Sequence, residues 1–560
     1  MKLFRIAVSL FTLSAMSPSV GEETGVTNSR MSSADALPPV TRMIDEVIAQ
    51  TWKDWEIRPA VEADDAIWCR RVYLDLIGRI PSVDELTEFV GRRSKSKRSD
   101  LVDTLLHDDR YTSEYAAHWA GIWTNLLIGR SGGNDRRSLV NRDGMQKYFR
   151  DCFASNRTYD RMVFDLITAT GSTKPGTEKF NGAVNFLVDK VNEEKGTLAT
   201  SSTSRIFLGQ QVQCTQCHNH PFNQWKQQKF WEFNSFFRQT RALRRFSGVD
   251  RDIDHAELVD QDFAGEAGDA EDALVFYELR NGLTKVAYPV FTDGTEIAPS
   301  GFVSDVNRRQ ELAQLMMQSE FLDKMIVNRL WAHFMGYGFT RPIDDLGPHN
   351  PATHPQLLER LAAEFRIASY DLKKLQTWIT LSKPYQLAAT KTRGNELDDP
   401  AIGETPKFSR FYMRQMSAEQ LYQSMLIATG ATPEGTYEEQ ARQRDRWLSQ
   451  FVVAFGTDEG DEATTFNGSI PQALMLFNGE LTRNATKTGD NSFLDRVAES
   501  SKSPRDGVTY LFLAGLARRP TTKEFGIAGQ LMTARDGNMK EMLADMWWAI
   551  LNSNEFILQH

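Results

Sequence analysis

The sequence has little cysteine, no excess of basic residues, and no long hydrophobic run after its first residues. Four cysteines in 560 residues exclude a disulfide-dense scaffold. A net charge of −9 gives no electrostatic reason to expect nucleic acid or an anionic membrane as a partner. No later stretch is long and apolar enough to predict a transmembrane segment. A phosphate-binding glycine loop is also missing.

Residues 1–21 have the pattern of a secretory signal peptide. Lys2 and Arg5 give a positively charged start, residues 6–16 form an apolar core, and small residues follow. The apolar run is too short to span a bilayer. We therefore expect a protein that is periplasmic or secreted after cleavage, with a flexible polar lead-in at residues 22–37.

Apolar residues recur at three- and four-residue intervals along most of the chain, which predicts a mainly α protein. Helical patterns fill residues 38–240, including a predicted helix at 200–213, and return over residues 306–560. At residues 241–305, an acidic stretch precedes two short strand patterns that flank an Asn-Gly pair. The sequence thus predicts a multi-helical protein whose two helical regions are separated by a small β insertion.

The most specific signal in the chain is the segment Cys214-Thr215-Gln216-Cys217-His218, which has the Cys-x-x-Cys-His spacing of c-type haem attachment. Two thiols about one helical turn apart can each form a thioether with a vinyl group of the porphyrin. The histidine that follows can then present a ring nitrogen to the iron as proximal ligand. Export agrees with this interpretation, because covalent haem attachment takes place outside the bacterial cytoplasm. We therefore predict haem c bound by Cys214, Cys217 and His218.

Other interpretations of the same segment stay open. Cys214 and Cys217 could close a small disulfide, or the cysteines together with His218 and His220 could bind zinc or iron. Four ligands within seven residues are cramped for a closed tetrahedral site, because structural zinc sites usually draw their ligand pairs from separate segments.

A haem at this segment needs a sixth ligand from elsewhere, or it keeps an open position on the iron. His220 is too near in sequence to reach the opposite face of the porphyrin. His118, His333 and Met335 are remoter candidates for that ligand. Across the haem and metal interpretations, the candidate metal ligands are His218, His118, His333 and His220.

Two predicted helices, at residues 113–127 and 324–335, combine tryptophan with a histidine, and each belongs to a different helical region. Pockets form preferentially at domain interfaces. We therefore expect the two regions to pack as one body, with the Cys214 segment near their junction. We also expect His118, and His333 with it, to lie within side-chain reach of that segment.

Several segments together resemble a known pair of families. The first half is similar to the planctomycete cytochrome-like domain of unknown function, in residues 71–81, 118–119, 204–209 and 214–222. The second half resembles the planctomycete-specific domain that usually follows it, in residues 327–336, 342–345, 354–358, 417–419 and 551–556. The separate planctomycete cytochrome c domain often found at the N-terminus has no counterpart here. The resemblance therefore implies that any haem is held by the Cys214 segment.

The sequence as a whole predicts an exported c-type cytochrome-like protein that takes part in periplasmic electron transfer or redox chemistry. The redox partner is not identified by the sequence. One alternative is a metal-dependent enzyme that binds zinc or iron through the same cysteine and histidine cluster, with acids such as Asp344 and Asp345. The other is a non-catalytic binding or scaffold protein.

Overall fold

Helices make up most of the described chain, as the apolar periodicity predicts, and the mainly α fold class is confirmed. The described part of the chain from Leu37 onwards forms one compact unit. The predicted signal peptide lies outside the described residues. The computed structural model describes residues 37–431 except 134, 136, 193 and 249–251, residues 439, 443, 446–449 and 452, and residues 479–560 except 490 and 491.

The first helical region contains helices that pack largely in sequence order. They are α1 (Pro39–Asp54), α2 (Asp65–Ile77), α3 (Val83–Gly91), α4 (Lys97–His107), α5 (Asp109–Ile128), α6 (Arg142–Ala154), α7 (Tyr159–Thr168), α8 (Thr197–Leu208) and α9 (Gln227–Asn234). Short 3-10 turns lie at Gly182–Phe186, Glu194–Gly196, Gln213–Gln216 and Ser235–Phe237.

The second helical region begins after the β insertion and continues to the C-terminus. Its helices are α10 (Arg308–Gln318), α11 (Glu320–Met335), α12 (Pro355–Ile367), α13 (Leu372–Thr380), α14 (Lys383–Gln386), α15 (Ala418–Thr429), α16 (Glu480–Ala485), α17 (Phe493–Ser500), α18 (Pro504–Leu516), α19 (Thr522–Ala534), α20 (Met539–Leu551) and α21 (Asn554–Ile557). A 3-10 turn lies at Pro400–Ile402.

Local sequence signals set several of these helix ends. Ser82 and Glu85 form a reciprocal capping box at the start of α3, in which each side chain accepts a backbone N–H of the other residue. Ser417 and Gln420 form the same motif at the start of α15. The helix predicted at residues 200–213 is shorter in the structure. α8 ends at Leu208 because Gly209 follows it with a left-handed φ of 62°.

The strands are short and antiparallel. β1 (Gly171–Ser172), β3 (Asp252–Asp260) and β2 (Thr240–Ser247) form one sheet in that order, and β4 (Val275–Glu278) pairs with β5 (Thr284–Ala287). β6 (Arg414–Gln415) pairs with β7 (Leu558–Gln559). The β4–β5 hairpin was predicted, whereas the longer β2–β3 hairpin was not. Its strands are highly charged and lack the apolar alternation by which strands are recognised.

One hydrophobic core extends through both helical regions. It includes residues of α1 to α8 together with residues of α10 to α14. Trp119 of α5 lies against Phe334 of α11, with ring centroids 6.2 Å apart. The two regions therefore pack as one body, as expected from the sequence.

A buried polar network crosses this shared core. Arg71 of α2 donates to the backbone carbonyls of Tyr385 and Leu387, the latter at 3.0 Å. Asp75, one turn further along α2, accepts from the Tyr385 hydroxyl at 2.6 Å and is ion-paired with Arg414. Arg71, Asp75 and Tyr385 are all buried. Burial lowers the pKa of Arg71 to about 10 and raises that of Tyr385 well above its usual value, so Arg71 stays charged and Tyr385 stays neutral near pH 7.

Within the described part of the chain, none of the helices combines the length and the apolar character that crossing a bilayer requires.

The Asp75 network makes a prediction about stability. Asp75→Asn keeps the shape of the side chain but leaves the Arg414 guanidinium without its buried counter-charge. We expect a loss of about 3–5 kcal/mol in the free energy of unfolding, measured by urea denaturation. Asp103→Asn is the matched control, because Asp103 is exposed and pairs with His107 at the surface. Equal unfolding midpoints for the two variants would contradict the network's structural role.

Candidate functional site

The segment that carries the haem-attachment motif forms a 3-10 turn followed by a tight loop. We call residues 213–220 the cysteine–histidine turn. Cys214 and Cys217 are both exposed free thiols, and Thr215 between them is buried. The Thr215 hydroxyl and backbone N–H both donate to the Val212 carbonyl, at 2.6 and 2.8 Å. The two thiols therefore project outwards while the residue between them anchors the turn.

The turn is fastened to α9 and to the β4–β5 hairpin. The Gln216 carbonyl accepts from Trp231 Nε1 at 3.1 Å and from Gln227 Nε2 at 3.2 Å. Gln227 Nε2 also donates to the Glu278 carbonyl at 2.8 Å. Trp231 stacks on Tyr277, with ring centroids 6.1 Å apart and an interplanar angle of 11°. The β insertion thus supplies part of the support beneath the turn.

Asp344 connects the chain that leads into the turn with the second helical region. Its carboxylate accepts from Arg205 Nη1 and from Gln211 Nε2, each at 2.8 Å. The Leu346 backbone N–H donates to the Gly209 carbonyl at 2.6 Å. The turn therefore begins beside the junction of the two regions. Asp345 instead accepts from His349 at 2.8 Å.

The two histidines of the turn have opposite hydrogen-bond environments. His218 Nδ1 lies 2.7 Å from the Asn219 carbonyl oxygen, which can only accept. Nδ1 therefore carries the ring proton, and Nε2 presents its lone pair. His220 Nδ1 instead accepts from the backbone N–H groups of Phe222 at 3.2 Å and Asn223 at 3.1 Å. Its proton is on Nε2, so neutral His220 has no free lone pair for a metal.

His118 and His333 are brought together at the junction, one from α5 and one from α11. Their ring centroids are 6.2 Å apart, and His333 also packs on Trp119 with centroids 4.9 Å apart. Among the described residues, no ring contact or hydrogen bond joins either histidine to the cysteine–histidine turn. Gly209 touches α11 at Met325, eight residues before His333, which corresponds to about 12 Å along the helix.

Burial keeps both of these imidazoles neutral. It lowers the pKa of His118 to about 3, to which the neighbouring His333 also contributes, and that of His333 to about 4. The Asp75 backbone carbonyl has the opposite effect and raises the pKa of each ring. Asp75 is in the last turn of α2, where carbonyl groups have no partner within the helix.

No set of three or more His, Cys, Asp or Glu side chains is arranged to hold a metal ion in the part of the chain that the structure describes. The carboxylates of Asp344 and Asp345 already accept from their own partners. The residues of the turn nevertheless fit a covalently attached haem: two exposed thiols, and one imidazole whose Nε2 is free for the iron.

Comparison with known families agrees with the division of the chain into two regions. A model named PSCyt2, described as a protein of unknown function (DUF1549), matches residues 43–242, and PSD1, described as a protein of unknown function (DUF1553), matches residues 308–462. Over these residues the chain is similar to the two domains, which stand in the order that the resemblance predicts. Neither the curated proteins nor the solved structures gave a match.

The position of the sites within the pair follows directly. The cysteine–histidine turn and His118 belong to the PSCyt2 domain, and His333 belongs to the PSD1 domain. Asp75 lies near both histidines, and Tyr385 and Arg414 are its partners. Asp75 is separated from both partners by hundreds of residues, so no local spacing pattern groups these residues.

The opposite roles of the two turn histidines can be tested by amide exchange. His220→Ala removes the acceptor of two backbone N–H groups, so the Phe222 and Asn223 amides should exchange with solvent faster. His218→Ala, the matched control, should leave those two amides unchanged. The measurement is hydrogen–deuterium exchange resolved to individual amides. Unchanged exchange in the His220 variant would contradict the hydrogen bonds described.

The buried histidines predict how stability depends on pH. Unfolded histidine takes up a proton below about pH 6.5, whereas folded His118 and His333 stay neutral until about pH 3 and 4. The free energy of unfolding should therefore fall as the pH decreases from 6.5 towards 4, with a contribution of up to about 1.4 kcal/mol per pH unit from each histidine. His118→Gln should reduce this slope, measured by urea denaturation in metal-free buffer. His107→Gln at the surface should not, and equal slopes in both variants would contradict the burial of His118.

Proposed function

We propose that this protein is an exported c-type cytochrome-like protein in which Cys214 and Cys217 hold a haem covalently and His218 is its proximal ligand. A bound haem c would supply a one-electron iron couple. The protein would then take part in periplasmic electron transfer or redox chemistry. The pattern of a signal peptide in residues 1–21 supports export.

The observation that carries this proposal is the environment of His218. Metal-ligating histidines usually donate their second ring N–H to a carbonyl or carboxylate, which fixes the tautomer and the orientation of the ring. The 2.7 Å contact between His218 Nδ1 and the Asn219 carbonyl has that form. His220, two residues away, has the opposite tautomer, so only one imidazole of the turn is prepared for a metal.

The state of the cysteines also supports the proposal. Both thiols of the turn are exposed, whereas Cys69 and Cys152 are buried. Thioether formation needs a thiol that the vinyl groups and the attachment machinery can reach. The backbone of the turn meanwhile is held by Trp231 and Gln227. Haem attachment would thus use side chains that the fold leaves free.

The test is expression with cytochrome c maturation proteins, followed by a pyridine-haemochrome spectrum of the denatured, washed protein. We expect one covalent haem per chain in the wild type and in Cys152→Ala, a control that removes a buried thiol. Cys214→Ala and Cys217→Ala should each lose one thioether and shift the haemochrome band. His220→Ala should keep its haem, because that ring is not assigned to the iron.

Absence of covalent haem in the wild type, under conditions that mature a known c-type cytochrome, would overturn the proposal. Elemental analysis of the same preparation would then separate the zinc or iron alternative from the scaffold alternative. Circular dichroism of each variant distinguishes loss of haem from loss of fold.

A further inference from the structure

The junction of the two domains contains a pair of histidines that the haem proposal does not use. His118 and His333 come from helices in different domains, and their ring centroids are 6.2 Å apart. Each residue as a whole is partly exposed, but Nε2 of each ring is buried and has no hydrogen-bond partner among the described residues. A buried polar nitrogen without a partner is unfavourable, so two of them on neighbouring rings require an explanation.

The lone pairs of this pair can be assigned from the contacts of the rings. The Asp75 backbone carbonyl raises the pKa of each ring, as a carbonyl oxygen beside a ring N–H does. Because Nε2 of each ring has no partner among the described residues, Nδ1 is the nitrogen that faces this carbonyl. Nε2 of each neutral ring therefore carries a lone pair. The two nitrogens cannot satisfy each other, since neither has a proton to donate.

The polar side chains nearby are already engaged. The Asp75 carboxylate accepts from Tyr385 and Arg414. The Glu419 carboxylate accepts from Asn125 Nδ2 at 3.1 Å and from Arg130 Nη1 at 2.7 Å. The two carboxylates act as acceptors in these contacts, and the Tyr385 hydroxyl proton is donated to Asp75. What the pair lacks is an electron-pair acceptor.

We propose that His118 and His333 together bind one transition-metal ion through Nε2. A nitrogen ligand lies about 2.0–2.1 Å from zinc, so two imidazoles on one ion have their ring centres about 5–6.5 Å apart. The observed 6.2 Å is within this range. The Asp75 carbonyl, which raises the pKa of both rings, stands where the outer partner of a metal-ligating histidine typically lies.

The ligand set indicates the class of ion. Imidazole suits Zn²⁺, Cu²⁺, Ni²⁺ and Fe²⁺, whereas Mg²⁺ and Ca²⁺ need oxygen ligands. Because only two protein side chains contribute, the remaining positions on the ion are filled by water or by a small ligand. Such open positions are typical of metal sites that act on a substrate rather than of closed structural sites. This site is independent of the haem proposal and shares no residue with it.

The test is Zn²⁺ binding to a variant of the full chain, called the background protein, from which the exposed ligands of the cysteine–histidine turn are removed. Cys214→Ser, Cys217→Ser and His218→Ala together remove the free thiols and the available imidazole of the turn. Isothermal titration should give one Zn²⁺ per chain in this background. Adding His118→Gln or His333→Gln should weaken the affinity by at least about tenfold, because each removes one of only two protein ligands.

His354→Gln is the matched control. His354 is also buried, and its Nε2 has no partner in the part of the chain that the structure describes. Burial lowers its pKa to about 4, and its ring contacts Phe339 and Phe408. Its substitution should leave Zn²⁺ affinity unchanged. If both pair variants fail to fold, electron paramagnetic resonance of Cu²⁺ bound to the background protein tests the proposal instead. We expect the Cu²⁺ signal to show coupling to two imidazole nitrogens.

Any one of four results would overturn the proposal. Three are no Zn²⁺ binding in the background protein, unchanged affinity in both folded pair variants, and Cu²⁺ without coupling to two nitrogens. The fourth is an equal loss of Zn²⁺ affinity in His354→Gln, because the effect would then be a general one of removing a buried imidazole. Haem content does not enter any of these readouts, so failure here leaves the haem proposal standing.

Discussion

The structure depends on charges that are buried where the two helical regions meet. Arg71 and Asp75 lie one turn apart on α2, and their partners come from the second region: backbone carbonyls of residues 385 and 387, the Tyr385 hydroxyl, and the Arg414 guanidinium. A buried charge without its partner costs several kcal/mol. α2 can therefore be buried in this core only when the second region is in place, which explains why the two domains share one core.

The same helix end organises the histidine pair. The last four carbonyl groups of a helix accept no hydrogen bond within the helix, so they need a donor from elsewhere. The Asp75 carbonyl acts on His118 of the first region and on His333 of the second, and it raises the pKa of each ring. Nε2 of each ring has no partner among the described residues. The junction thus combines a buried polar network with two unpartnered imidazole nitrogens.

Much of the fold could be predicted from the sequence, because helix formation leaves local signals. α7 was predicted with its exact bounds, and the Ser82-Glu85 cap follows from four adjacent residues. The end of α8 was missed because a single glycine, Gly209, overrides an apolar pattern that continues to residue 213. The β2–β3 hairpin was missed because its pairing rests on the backbone ladder, with charged side chains on both faces.

The candidate sites likewise have features that the sequence predicts and features that only the folded chain shows. The cysteine–histidine turn was evident from five adjacent residues, since haem attachment requires a fixed local spacing. The opposite tautomers of His218 and His220 depend on where backbone N–H and carbonyl groups point, which only the folded turn determines. His118 and His333 lie 215 residues apart in sequence (333 − 118), and their helices were expected at the junction. The direct contact between the two rings depends on packing between the domains, which only the folded chain determines.

The most direct measurement of the central claim is mass spectrometry of the protein purified from the cells that produce it. The account predicts an intact mass that includes one covalent haem, and a proteolytic peptide containing Cys214 and Cys217 that carries the haem on both sulfur atoms. The same peptide found with free thiols or with a disulfide between Cys214 and Cys217, and no haem in the intact mass, would contradict it.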